Sequence, residues 1–134
     1  MSGATVFIAR LAGVAVFDPN GDQVGRIRDV IVSMGAGPQA PRVNGLVVEV
    51  PMRRRIFLPM TRVTAVDPGQ VVTTGLVNMR RFEQRPSETL VVAELFDRRV
   101  TLVETDETVT VLDVAMAQTR ARDWVISEVH VRKG

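Results

Sequence analysis

The hydrophobic positions of this chain come in short runs separated by turn residues, a pattern typical of many short β-strands. Runs rich in Val, Ile and Thr predict strands near residues 4–9, 13–17, 24–32, 43–50, 55–59, 62–66 and 70–74. The pattern returns near the end and predicts further strands at 99–103, 108–116 and 125–131. Asp18-Pro-Asn-Gly-Asp22 has the composition of a tight hairpin turn, because Asn and Gly tolerate a positive φ. The sequence therefore predicts a mainly β fold.

Two segments interrupt this pattern. Ser33–Pro41 contains two Gly and two Pro and is predicted to be a mobile loop. Val77–Gln84 is predicted to form a short helical turn, and Pro86–Phe96 to form a helix with Ser87 as its N-cap. Val91-Val92 leaves a strand open as the alternative, since both are β-branched.

The two ends of the chain resemble each other at a shift of 84 positions. The shift places Leu11 on Leu95, Val16 on Val100, Ile27 on Val111, Asp29 on Asp113 and Val30 on Val114. The order of strands and turns also matches. We therefore interpret the chain as a diverged duplication, whose second copy is either truncated or completed by strands from the first.

Composition narrows the classes of function. The 134 residues include no cysteine, which excludes disulfides, thiolate metal sites and a thiol nucleophile and suits a reducing compartment. The net charge is only +2, with arginine and acidic residues interspersed, and aromatic residues make up 4% of the chain. A nucleic-acid surface normally needs more concentrated positive charge and more stacking side chains, so nucleic acid is disfavoured as a partner. The N-terminal residues lack the pattern of a signal peptide, and no apolar run is long enough to span a bilayer, so we expect a cytoplasmic chain without membrane insertion.

The first half resembles the PRC-barrel family. The resemblance lies in Leu11-Ala-Gly-Val-Ala-Val-Phe-Asp18, Gly21-Asp-Gln-Val-Gly-Arg-Ile-Arg-Asp-Val-Ile-Val32, Val43-Asn-Gly-Leu-Val-Val-Glu-Val50 and Ile56-Phe-Leu-Pro59. It covers about residues 8–75, with a weaker echo at 95–131. The resemblance implies a small bent antiparallel β-barrel with a diverged second half-repeat and one short helix. We expect a PRC-barrel at 1–76, a helical connector at 77–97 and a second PRC-like β unit at 98–134, packed on the first.

A narrower resemblance lies in Arg53-Arg-Arg-Ile-Phe-Leu-Pro-Met60 and Gly75-Leu-Val-Asn-Met-Arg-Arg-Phe-Glu-Gln-Arg-Pro86. These stretches are similar to the N-terminal region of bacterial proteins that join a PRC-barrel to MgtE-type magnesium-transporter and CBS domains. The resemblance implies a non-catalytic regulatory module, placed at the inner face of the membrane through its parent protein and linked to magnesium homeostasis or transport. Its partners would be other domains of the parent or a separate protein, and a homo-oligomer is compatible with it. The alternative is an RNA- or ribosome-associated adaptor of the RimM type.

Few residues qualify as candidate sites. Arg53, Arg54 and Arg55, with Arg80 and Arg81, are the candidate docking patch for an acidic partner, RNA or anionic lipid, or else a solvated hairpin tip and helix face. No catalytic constellation, cofactor site or metal site is predicted, so we do not expect an enzyme.

The remaining polar candidates have structural explanations. Asp29 and Asp113 share a strand face with apolar residues, so we expect them to accept backbone N–H groups or to pair with an arginine such as Arg28 or Arg42. A catalytic carboxylate pair is the remote alternative. His130 is expected at an exposed strand position. The Asp18–Asp22 turn departs from a calcium loop in its register.

Overall fold

A computed structural model describes residues 5–33, 39–67, 69–75 and 80–133. Its first half contains β1 (Val6–Phe7), a first helical turn (Ile8–Leu11), β2 (Ala15–Phe17), β3 (Gln23–Ser33), β4 (Arg42–Val50), β5 (Arg54–Pro59), β6 (Val63–Asp67) and β7 (Gln70–Thr73). The second half contains β8 (Glu88–Leu90), a second helical turn (Val91–Leu95), β9 (Arg99–Thr101), β10 (Thr108–Gln118) and β11 (Trp124–Lys133). Single 3₁₀ turns at Pro51–Arg53 and Met60–Arg62 flank β5.

The strands form one strongly bent sheet that nearly closes into a barrel. The strand order is β1-β10-β11-β4-β3-β2-β7-β6, with β5 paired to β4, β8 to β3 and β9 to β10. β2 and β7 run parallel, and the other described pairs are antiparallel. The sheet encloses a core built by both halves, which includes Ile8, Leu11, Val16, Ile27, Leu46, Leu58, Val71, Val91 and Met116. The predicted mainly β, PRC-type barrel is confirmed.

The predicted strand at 4–9 is wrong in its second part. Val6 and Phe7 pair with β10, but the chain then coils into the first helical turn at Ile8–Leu11. Ile8 and Leu11 are both fully buried, and a separation of three residues places both side chains on the inward face of one turn. A run of four residues is too short to show helical periodicity in a sequence.

The predicted helix at Pro86–Phe96 is also wrong in extent. Glu88–Leu90 is a strand that pairs with β3, and only Val91–Leu95 is helical, as a five-residue π-type turn. The structure thus contains both the strand and the helix, one after the other. Leu90 lies opposite Ile31, and this pairing with β3 outweighs the helix propensity of residues 88–90. In Val77–Gln84, residues 77–79 lie outside the described residues, and Arg81 forms a β-bridge with Ile56. In the predicted loop Ser33–Pro41, residues 34–38 lie outside the described residues.

The two halves repeat the same backbone hydrogen bonds at the predicted shift of 84 positions. The N–H of Gly13 donates to the carbonyl of Ile27 at 2.7 Å, and the N–H of Asp97 donates to that of Val111 at 2.9 Å. Gly13 and Asp97 both have a positive φ, of 87° and 63°. Bulges interrupt β3 after Ile27 and β10 after Val111. The sequence similarity therefore corresponds to a repeated structure.

The halves exchange their leading segments. β1 and the first helical turn, from the first half, pack on β10 of the second half. β8 and the second helical turn, from the second half, pack on β3 of the first half. The halves also meet directly where Val125 of β11 pairs with Arg42 of β4. Each half is thus completed by the other, in line with the second interpretation of the repeat.

Candidate functional site

The five arginines of the candidate docking patch lie together in space. Arg53 ends the tight turn between β4 and β5, and Arg54 and Arg55 begin β5. The chain at 80–82 runs beside β5, where the N–H of Phe82 donates to the carbonyl of Arg55 at 2.9 Å and that of Phe57 to the carbonyl of Arg80 at 3.2 Å. All five arginines are exposed. Two basic clusters that are distant in sequence therefore form one surface.

This surface borders an open cleft of about 710 Å³, and we call this cleft the arginine cleft. It is lined by Arg53, Arg54, Arg55, Ile56, Arg81 and Phe82. The mixture of guanidinium groups with Ile56 and Phe82 gives the cleft both charged and apolar walls. Charged and apolar groups thus lie side by side along the cleft.

The hairpin tip presents an apolar side chain beside the arginines. Met52 is 91% exposed, at the end of the β4–β5 hairpin. Met52 and Arg53 have φ values of 69° and 57°, in the left-handed region that non-glycine residues adopt only at a cost. The turn thus adds one apolar side chain to the surface that carries Arg53 and Arg54. Sequence reasoning missed Met52, although its position between Pro51 and three arginines was visible.

The arginines differ in how firmly they are held. Arg55 lies 3.6 Å from Glu49, which also accepts Arg28 at 3.4 Å, and Arg80 stacks over the Phe57 ring at 4.8 Å from its centroid. Within the part of the chain that the structure describes, Arg53, Arg54 and Arg81 form no ion pair. These three guanidinium groups are therefore available to a partner.

Gly45 makes room for the ring beneath Arg80. A Cβ atom at this position of β4 would lie 2.7 Å from Cε1 of Phe57 and 2.5 Å from the carbonyl oxygen of Leu58. The missing side chain lets the Phe57 ring approach β4 closely, and Arg80 stacks over that ring. A glycine inside a strand is the sequence signal for such a close approach.

Asp29 anchors the second helical turn. Its carboxylate is buried and accepts the N–H groups of Val30 at 2.7 Å, Val92 at 2.7 Å and Ala93 at 3.0 Å. Burial raises the pKa of Asp29, and the three N–H donors oppose that rise. Asp29 is occupied by its own fold, which confirms the expectation that it accepts backbone N–H groups.

Asp113 anchors the first helical turn in the same way. It accepts the N–H of Ala9 at 3.0 Å and that of Val114 at 2.8 Å. Ala9 and Ala93 are themselves related by the shift of 84 positions. The two carboxylates therefore hold the exchanged segments. Arg28 and Arg42, the alternative partners, pair with Glu49 and Asp123.

The other polar candidates also have local partners. The Asp18 carboxylate accepts the N–H groups of Asn20 and Asp22, which confirms the hairpin turn. His130 is exposed on β11, where its Nε2 lies 3.0 Å from Oε1 of Glu128 and its ring meets Phe7 edge-on at 5.1 Å. Among the described residues, no three acidic or histidine side chains cluster as metal ligands would. In the same ranges no helix is long and apolar enough to cross a membrane.

Comparison with known families agrees with this architecture. The PRC-barrel domain family matches residues 4–74, more than half of the chain. The chain therefore belongs to the PRC-barrel family, whose domains are generally non-enzymatic modules. A second family, the Actinomycetes SH3 domain, matches residues 89–134, which include β9 to β11 and all of β8 except Glu88. No curated protein matches the chain.

Proposed function

We propose that this protein is a non-catalytic binding module that docks an acidic protein segment in the arginine cleft. The observation that carries the proposal is the convergence of two arginine clusters beside the exposed Met52. Arginine pairs with carboxylates through two parallel hydrogen bonds, and methionine adapts its shape to apolar partners. A segment with glutamate or aspartate around one apolar residue matches both features.

The geometry favours protein over RNA as the ligand. Phe57, which could otherwise present its ring to a base, is half-buried under Arg80. The positive charge of the whole chain is low, at +2, so attraction for a phosphate backbone is limited to this one surface. The RNA-binding adaptor thus remains the second candidate, without a specific observation in its favour.

We further propose that the acidic segment belongs to an MgtE- or CBS-type parent protein concerned with magnesium homeostasis or transport. The support is the resemblance of residues 53–60 and 75–86, which contain the residues that line the arginine cleft, to the corresponding region of such proteins. If the proposal is right, deleting residues 1–134 from the parent alters its magnesium-dependent growth phenotype. An unchanged phenotype would remove this part of the proposal and leave the binding module intact.

The arginine cleft is tested by removing its three available charges. In R53A/R54A/R81A, binding of a fluorescein-labelled Glu/Leu peptide should weaken about 3- to 150-fold at an ionic strength near 0.1 M, because exposed ion pairs each contribute about 0.2–1 kcal/mol. Fluorescence anisotropy measures the affinity. Arg55 and Arg80 are left in place because they pair with Glu49 and Phe57.

R10A/R99A/R120A is the matched control. It removes three exposed arginines elsewhere and gives the same net charge, so it should bind the peptide nearly as well as the unmodified chain. Equal weakening in both variants would show a general charge effect and would contradict the arginine cleft as the site. Tighter, salt-sensitive binding of a single-stranded RNA than of the peptide would favour the adaptor instead.

A further inference from the structure

β11 has an outer edge, the side away from β10. Within the described residues, this edge has no partner strand beyond the single pair at Val125. β11 pairs with β10 along its whole length, but on its other side only Val125 pairs with β4, and Ile126 donates its N–H to Pro41. Residues 127–133 are all exposed, including Val129 at 52% and Val131 at 38%. An exposed strand edge is a template for pairing with another strand.

The first half shows what this edge can accept. β4 corresponds to β11 at the shift of 84 positions, and its stretch Gly45–Val50 pairs with β5 on the side away from β3. The same edge in the repeat therefore accepts an antiparallel strand.

The sequence of this edge is complementary to itself. If two copies of β11 pair antiparallel about a twofold axis at His130, Glu128 lies opposite Arg132 of the second copy, and Val129 lies opposite Val131. The twofold axis generates each contact twice, so the dimer contains two Glu128–Arg132 pairs and two Val129–Val131 pairs. Opposite charges and β-branched residues are favourable cross-strand pairs.

We propose that the protein forms a symmetric dimer through antiparallel pairing of β11 with β11 of a second copy, with His130 at the axis. This surface shares no residue with the arginine cleft, so the dimer goes beyond the proposed docking function and is independent of it. The dimer extends the sheet of each copy into its partner. It supplies to β11 what β5 supplies to β4.

Charge reversal tests the register. E128R and R132E each place like charges opposite each other twice, so the dimer dissociation constant from analytical ultracentrifugation should rise at least about tenfold. The double variant E128R/R132E restores opposite charges and should dimerise like the unmodified chain. Within one copy, Glu128 and Arg132 lie opposite the uncharged Ala115 and Thr110 of β10, so neither change adds a like-charge pair to the β10–β11 ladder. R120E, outside β11, is the control.

A single cysteine tests the axis. The chain has no cysteine, so the cysteine of H130C could form a disulfide only with the same cysteine of a second copy. Opposed Cα atoms in an antiparallel pair lie about 4.5–5.5 Å apart, within the range of a disulfide. Mild oxidation should therefore cross-link H130C but not E128C, which lies opposite position 132. A chain that stays monomeric at millimolar concentration, a double variant that fails to dimerise, or equal cross-linking of both cysteine variants would overturn the proposal.

Discussion

At the scale of single residues, the fold depends on two carboxylates that replace missing secondary-structure partners. Asp29 and Asp113 each supply acceptors to the N–H groups at the start of a helical turn. Such N–H groups have no partner inside their own turn and are costly to bury unpaired. An aspartate on the apolar face of a predicted strand therefore indicated a buried acceptor in the sequence. The N–H groups that it accepts could not be identified from the sequence.

Replacing Asp29 by asparagine should destabilise the protein. Asparagine keeps one acceptor oxygen, but its amide group would face the N–H of Ala93, donor against donor. We expect the free energy of unfolding at pH 7 to fall by about 1–3 kcal/mol, as measured by urea denaturation. The exposed Asp67, changed to asparagine, is the control and should alter it by less than about 0.5 kcal/mol.

The raised pKa of Asp29 also predicts a pH dependence. In the folded state its carboxyl group keeps a proton to higher pH than in the unfolded chain, so the folded state binds more protons between the two pKa values. The stability that Asp29 contributes is full below the unfolded pKa of about 3.9 and declines as pH rises through the folded pKa. The difference in unfolding free energy between the unmodified chain and D29N should therefore shrink as pH is raised from about 3.5 to 7. A difference that widens over this range would show that the pKa is lowered.

At the scale of elements, the strands could be predicted well and the helical turns poorly. The strands expected at 24–32, 43–50 and 55–59 are observed at Gln23–Ser33, Arg42–Val50 and Arg54–Pro59. Alternating patterns and turn residues are local, so the sequence displays them. The turns at Ile8–Leu11 and Val91–Leu95 depend on acceptors from the opposite half of the chain, which no local window contains.

The arginine cleft was half predictable for the same reason. The two arginine clusters were visible as candidates, but their meeting depends on the bridge between Ile56 and Arg81, a long-range contact. The stacking of Arg80 on Phe57 and the pairing of Arg55 with Glu49 depend on the register of β4 and β5. These contacts separate the held arginines from the available ones, a distinction that the sequence does not contain.

The close approach at Gly45 predicts an effect that spreads from β4 to the cleft. In G45A the new methyl group would collide with Phe57 and the Leu58 carbonyl, and we expect a loss of about 1–3 kcal/mol in unfolding free energy. Because Phe57 must move, Arg80 would lose its stacking partner, and peptide binding should weaken as well. Gly69 has open space at the Cβ position, so G69A is the control. Equal stability of G45A and G69A would show that β4 and β5 separate easily.

At the scale of the whole molecule, the exchange of leading segments joins the two halves into one folding unit. The predicted division at 1–76, 77–97 and 98–134 stays a prediction, but residues 88–90 pair with β3 of the first half, residues 91–95 pack on it, and the segment does not simply connect two units. The similarity at a shift of 84 positions was visible in the sequence. Whether the second copy is truncated or completed by strands from the first could not be predicted from the sequence, because it depends on which strands pair.

The exchange predicts that neither half folds alone. A fragment of residues 1–78 leaves Asp29 without the N–H groups of Val92 and Ala93, and a fragment of residues 79–134 leaves Asp113 without that of Ala9. Each fragment should lack a cooperative thermal transition by circular dichroism, and mixing the two should restore one. A cooperative transition in the first fragment alone would show that the exchange is dispensable.

The exchange also has a consequence for synthesis on the ribosome. The contact between Ala9 and Asp113 spans 104 positions, so the first helical turn leaves the exit tunnel long before its acceptor exists. At about 5–20 residues per second, the delay is about 5–20 s. During this interval the apolar Ile8 and Leu11 are accessible to chaperones and to neighbouring nascent chains. We therefore expect translation speed and chaperone supply to affect the yield of this protein more than that of a barrel whose strands pair in order of synthesis.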